Sequence, residues 1–251
     1  MSETKTRKSL SETELQTLLS YVKDRADLAR IRGTTRAIID ELIVILSAQA
    51  GLRANEIRSL KIEDLPSADG EKALRICNTL DEVLRSVDIT EDIAQLLTRF
   101  VKLYRKGAKP KEPLLKTERG SPFGYMSLYN KVRRIGEQAG IGKLTPAMLQ
   151  HTYAVRLYEM EQDLRYVQEQ TGYLSRRTLA KYMMKGRSKS VIRQQSDTEF
   201  KSQESVGQKG KHIDPTCICE ACGAECVKSE GRKIESGQFL CHTCLGYFRT
   251  G

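Results

Sequence analysis

The sequence holds no tryptophan, and phenylalanine and tyrosine bring its aromatic content to only 6%. That is thin for a protein that grips single strands on stacking platforms. No apolar run approaches the roughly 20 residues that span a bilayer. Residues 1–10 are charged and carry no apolar stretch of the kind a secretory leader needs. The first 216 residues contain a single cysteine, Cys77. A disulfide framework across that part of the chain is therefore excluded. These absences point to a protein of the cytoplasm with no membrane partner.

What is abundant is positive charge. Lys+Arg number 42 against 32 Asp+Glu, a formal net charge of +10 in 251 residues. A surplus of this size attracts polyanions, nucleic acid foremost. The remaining six cysteines lie between Cys217 and Cys244. Such clustering at one end, without a leader, favours metal over disulfides.

Composition divides the chain into a domain at residues 9–186, a Ser/Gln/Lys/Gly-rich linker at 187–215 and a cysteine-rich segment at 216–251. The linker has too few large apolar groups to offset the cost of ordering. In the first part, Ser11-x-x-Glu14 reads as a capping box for a helix with Leu15, Leu18, Leu19 and Val22 on one face. A broad apolar stripe over 35–50 predicts a central core helix, which Gly51 ends. A short helix follows at 54–60. Alternating segments between residues 73 and 89 predict a small sheet. Helices are expected again at 91–104, 126–139, 146–159, 163–170 and 176–183, with Pro146 suited to a first turn. The expected fold is mainly α with a small antiparallel β-sheet.

Four segments carry a resemblance. The first is Gly51-Leu52-Arg53-Ala54-Asn55-Glu56, with Asp64 after it. The second is Thr145-Pro146-Ala147-Met148-Leu149-Gln150-His151-Thr152-Tyr153-Ala154. The third runs from Asp163-Leu164 through Val167-Gln168 to Gly172-Tyr173. The fourth is Arg177-Thr178-Leu179-Ala180-Lys181-Tyr182. In this order and spacing they resemble the catalytic domain of the tyrosine recombinases, the phage integrase family. The resemblance implies DNA recombination or integration on double-stranded DNA, either through self-association on DNA or beside a sibling recombinase.

The family's chemistry uses a tyrosine oxygen as nucleophile on a DNA phosphate. Two arginines stabilise the developing charge, and a lysine and histidines move protons. Carried over residue by residue, Arg53 takes the first-arginine position and Tyr182 the nucleophile position. Ala147 replaces the first histidine, Gln150 the second arginine and Tyr173 the histidine or tryptophan of the third segment. Leu80 or a neighbour falls at the lysine position, and the turn 78–82 contains no lysine; Lys72 serves only if the loop differs. His151 reads as structural. Two of six catalytic positions match. The expectation is a retained DNA surface with impaired or lost strand cleavage, a pseudoenzyme. The rivals are an active recombinase using Tyr182 with substituted partners and a non-catalytic adaptor or regulator. Candidate DNA contacts are Arg53, Gln150, Arg133, Arg134, Arg176, Arg177 and Lys181.

In the tail, Cys219-x-x-Cys222 and Cys241-x-x-Cys244 are separated by 18 residues. Two such pairs suit tetrahedral Zn²⁺ in a zinc ribbon, a structural site with all four ligands from protein. A segment so small needs the metal to fold. Cys217 and Cys226 are left without a role.

Overall fold

A computed structural model describes residues 9–66, 72–78 and 81–173, and the backbone of four short strands between 216 and 241. The first helix, α1 (Glu12–Arg32), starts on the expected capping box. The Ser11 hydroxyl accepts from the Glu14 amide, and the Ser11 amide donates to the Glu14 carboxylate at 2.9 Å. Leu15, Leu18, Val22, Ala26 and Ala29 follow the three-and-four spacing of one helical face and are all buried. Gly33 ends the helix in the left-handed region, at φ +69°.

The next helix, α2 (Arg36–Ala48), is the centre of the domain and packs against α1, α3 (Ala54–Ser59), α5 (Tyr125–Gln138) and α6 (Pro146–Glu161). Surrounded in this way, it buries Ile38, Leu42, Ile43, Val44 and Leu46, and also Asp40 and Glu41. A buried carboxylate needs a partner. Asp40 pairs with Lys131 of α5, and Glu41 with Arg30 of α1. Burial pushes the Glu41 carboxyl pKa up, against the pull of Arg30.

The expected sheet is a two-stranded antiparallel hairpin, β1 (Ala73–Cys77) and β2 (Val83–Asp88). Its register runs from Ala73 opposite Asp88 to Ile76 opposite Arg85. It then slips so that Cys77 faces Val83. Leu84 is thus the extra residue of a bulge and stands 64% exposed. A helix α4 (Glu91–Tyr104) follows, and α7 (Leu164–Thr171) packs on β2 and α6. One large apolar core joins Leu10 through Leu149, and a smaller one, with Ala154, Leu157, Val167 and Tyr173, lies between α6 and α7.

Beyond residue 215, β3 (Thr216–Ile218) pairs antiparallel with β4 (Glu225–Val227), and β5 (Gly231–Lys233) with β6 (Phe239–Cys241). β3 lies beside β6. The linker at 187–215 and the helix expected at 176–183 lie outside the described residues. Among the described residues, no helix is long and apolar enough to cross a membrane.

Candidate active site

The site is built where α2 gives way to α3. Gly51 takes φ +66°, and the Leu52 amide reaches back to the Leu46 carbonyl at 2.9 Å. A Cβ on Gly51 would stand 2.3 Å from Cδ1 of Tyr153. Glycine is therefore required twice, for backbone conformation and for the ring above it. The tight turn delivers Arg53 in extended conformation as the residue before α3. Its amide donates to Glu56 Oε2 at 2.8 Å, so Glu56 satisfies an open N–H at the start of the helix.

Three side chains converge on one feature, the C-terminal turn of α7. Arg53 Nη2 donates to the Gly172 carbonyl at 2.5 Å. Gln150 Nε2, from α6, donates to the Thr171 carbonyl at 3.1 Å. Arg85 Nε, from β2, donates to the Gln170 carbonyl at 3.3 Å. Carbonyls at a helix C-terminus lack intrahelical partners and carry partial negative charge, so cations and N–H donors are favoured there.

Glu56 links the two guanidiniums. Its carboxylate takes both Arg85 terminal nitrogens, with Nη2 to Oε2 at 2.9 Å, while Arg53 Nη1 stands 4.0 Å from Oε1. Glu56 and Arg85 side chains are each only 12% exposed. A helical-turn pairing of Arg53 with Glu56 is thus the lesser contact, and the strong partner of Glu56 comes from the sheet. Arg53 Nε is buried with no protein partner.

The turn is held from the other side by Gln170. Its Oε1 accepts from the Asp88 amide at 2.8 Å and its Nε2 donates to Asp88 Oδ2 at 2.9 Å. The Tyr166 hydroxyl donates to the same oxygen at 3.0 Å. Burial, then the Asp88 carboxylate, pushes the Tyr166 phenol up to about 12. Burial does the same to Tyr153, also to about 12. Both phenols stay protonated at neutral pH, as structural groups.

The other sequence candidates are placed as follows. Gln150 is 1% exposed, its amide turned inward to α7. His151 is buried beside it. Further along α6, Arg156, which is not one of those candidates, pairs with Glu12 of α1 at 3.2 Å. Lys72 pairs with Glu91 at the open end of the hairpin. The length of β1, roughly 17 Å, separates it from the 78–82 turn. That turn is acidic. Asp81, at φ +63°, pairs with Lys61 and stands 3.7 Å from Lys111. Arg133 and Arg134 are exposed on α5, and Arg133 pairs with Glu137 at 3.0 Å. Arg176, Arg177, Lys181 and Tyr182 lie outside the described residues, as do Cys219, Cys222 and Cys244; Cys241 ends β6. The roles of Arg85, Gln170 and Asp88 were missed by sequence reasoning. The one available signal was a lone arginine in the second strand of the expected sheet.

Comparisons with known proteins agree with this architecture. The chain is 31% identical over 180 residues to tyrosine recombinase XerA of Pyrococcus furiosus, covering 70% of this chain and 56% of that protein. It is 30% identical over 131 residues to XerA of Saccharolobus solfataricus, covering 52% and 40% respectively. The chain thus spans about half the length of these relatives. Among solved structures it resembles XerH site-specific recombinase bound to difH substrate in a pre-cleavage complex. That likeness has a TM-score of 0.57 and 26% identity, and covers 70% of this chain and 50% of the other. The model of the phage integrase family matches residues 8–188, most of the chain. The turn that presents Arg53, the hairpin beside it and the α6–α7 pair that closes over it are therefore those of a tyrosine recombinase catalytic domain, and the chain belongs to the phage integrase family.

Proposed function

We propose that this protein binds double-stranded DNA and acts in DNA recombination or integration with its strand cleavage impaired or lost. The observation that carries the second half is Gln150. At the position of the family's second arginine stands a neutral amide, 1% exposed and spent on the Thr171 carbonyl. Arg85, the other guanidinium on the α7 turn, is held by both oxygens of Glu56, so a phosphate at the site would meet Arg53 alone where the family supplies two. Loss of one donor to a developing oxyanion costs about 10²–10³ in rate. The hairpin turn contributes no lysine of its own, and Lys61, which reaches it from outside, is paired with Asp81 rather than free as a proton donor.

DNA binding is supported by the net charge of +10 and by the XerH relative, whose structure holds difH substrate. In this reading Arg53 contacts phosphate at the site, while Arg133, Arg134, Arg176, Arg177 and Lys181 contribute to the basic surface. Neighbouring protomers are copies of this chain or of a sibling recombinase. The tail is a zinc ribbon with Cys219, Cys222, Cys241 and Cys244 as ligands of one structural Zn²⁺. The support is that the first pair falls between β3 and β4, and that β6, ending at Cys241, lies beside β3.

The test is DNA binding followed by denaturation in detergent, with Tyr182→Phe alongside. We expect salt-sensitive binding, equal in wild type and variant, and no covalent adduct. An adduct that disappears in Tyr182→Phe would instead establish an active recombinase with substituted partners. Absence of DNA binding would leave only the adaptor reading.

A further inference from the structure

The pairing of β3 with β4 sets Cys217 directly opposite Cys226, with Thr216 facing Val227 and Ile218 facing Glu225 on either side. These are the two cysteines that the zinc reading leaves over. Directly opposed residues of an antiparallel pair share one face of the ribbon, and their Cα atoms stand roughly 4.5–5.5 Å apart. A disulfide needs a Cα separation of roughly 4.4–6.8 Å. The register alone therefore brings the two cysteines within bridging range without a change of backbone.

We propose that Cys217 and Cys226 form a cross-strand dithiol that peroxide converts to a disulfide, a redox-modification site at the base of the cysteine-rich hairpin. One sulfur attacks a peroxide oxygen, the O–O bond breaks, and sulfenic acid and a first water result. The second sulfur attacks the sulfenic sulfur, the S–O bond breaks, the S–S bond forms, and a second water leaves with the remaining proton. Two thiols and one hydrogen peroxide give one disulfide and two waters; the cysteines are oxidised and the peroxide is reduced. The bridge spans the Cys219–Cys222 pair in sequence. It therefore fastens β3 to β4 without using any of the four proposed zinc ligands.

Cys77 supplies an internal control. Burial and the neighbouring Asp64 carboxylate push its thiol pKa up, and Asp64 Oδ1 accepts from its Sγ at 3.5 Å. It is the thiolate that reacts, so Cys77 is expected to be slow. The inference rests on the register of one hairpin and, in treating these two cysteines as spare, on the proposed zinc ligands Cys219, Cys222, Cys241 and Cys244.

The experiment uses the full chain, treated with limiting hydrogen peroxide, alkylated, digested and mapped by mass spectrometry, with zinc released and measured in parallel. The expected result is one cross-link joining Cys217 to Cys226. It costs the mass of two hydrogen atoms, is reversed by dithiothreitol, and leaves metal content unchanged. Cys217→Ser and Cys226→Ser each abolish the cross-link and retain the metal. The mapping of the unmodified protein needs no variant, so a misfolded variant does not spoil the test. Free, alkylatable Cys217 and Cys226 at a peroxide dose that already oxidises Cys77 would overturn the proposal. So would cross-links confined to Cys219, Cys222, Cys241 and Cys244, or loss of zinc in either serine variant. A protein that carries the Cys217–Cys226 bridge but holds no zinc in any state would sink the zinc reading alone.

Discussion

Arg53 Nη2 meets the carbonyl oxygen of Gly172 at 2.5 Å, across 119 residues of sequence. This contact joins the segment leaving α2 to the segment leaving α7. The Arg53 guanidinium, the phosphate contact of the proposed function, is thus oriented by the backbone turn that ends α7.

The close approach at Gly51 gives a sharp stability contrast. Gly51→Ala must hold a side chain at φ +66° and displace the Tyr153 ring, so about 2–4 kcal/mol of stability should be lost. Gly33→Ala has the same backbone sign but open space around it, so about 1 kcal/mol is expected. Urea denaturation of both variants against wild type reads the difference as a shift in midpoint.

Glu56 holds Arg85 in a two-pronged pair with little solvent access. Glu56→Gln leaves that guanidinium underpaired and should cost about 3 kcal/mol. Glu56→Gln with Arg85→Met should recover part of the loss, since both charges are then gone. A double-mutant cycle in chemical denaturation gives the coupling; additive losses would show that the pair is not linked.

Gln170→Leu removes both bonds to Asp88 and should destabilise the protein by about 1–3 kcal/mol. The local signature is faster hydrogen exchange at the Asp88 amide, with amides of α2 unchanged after correction for global stability. Unaltered exchange at Asp88 would mean that Gln170 does not clamp β2 to α7.

Glu112 is predicted to titrate far below its ordinary value. Hydrogen bonds from Lys116, the Lys109 amide and Arg105 hold its carboxyl at about 2, down from 4.5. Because the folded pKa is the lower one, its contribution is complete above the unfolded value. It is lost as pH falls from about 4.5 toward 2. Carboxyl chemical shifts followed through that window test this directly, and Glu112→Gln should flatten the same part of the acid-denaturation curve.

The elements legible in the sequence are those whose signals are local. The Ser11–Glu14 box and the apolar faces of α1 and α2 lie within a few residues of their effects, and α4 has the expected bounds. The end of α6 was placed too early because its cap is not a glycine. Gln162 enters the left-handed region at φ +55° while its amide group donates to the Tyr158 and Glu159 carbonyls. At the site, the family motif marked Arg53 and Gln150. What each one touches was out of reach, since Gly172 and Thr171 approach only when α7 packs on α6 and β2. Arg85 and Gln170 depend on partners 29 and 82 residues away, and no periodicity reports such pairs.

Asp40 and Glu41 are neighbours on α2 that look in different directions, one to α5 and the other to α1. A core of leucines alone accepts a helix that has slid by a turn. This one does not. A slip of α5 by one turn, about 5.4 Å, carries Lys131 away and strands a carboxylate in hydrocarbon, at a cost of several kcal/mol. The same holds for α1 and Arg30. The two acids work as the teeth of a key: they contribute less to how tightly the helices hold than to which single alignment they accept.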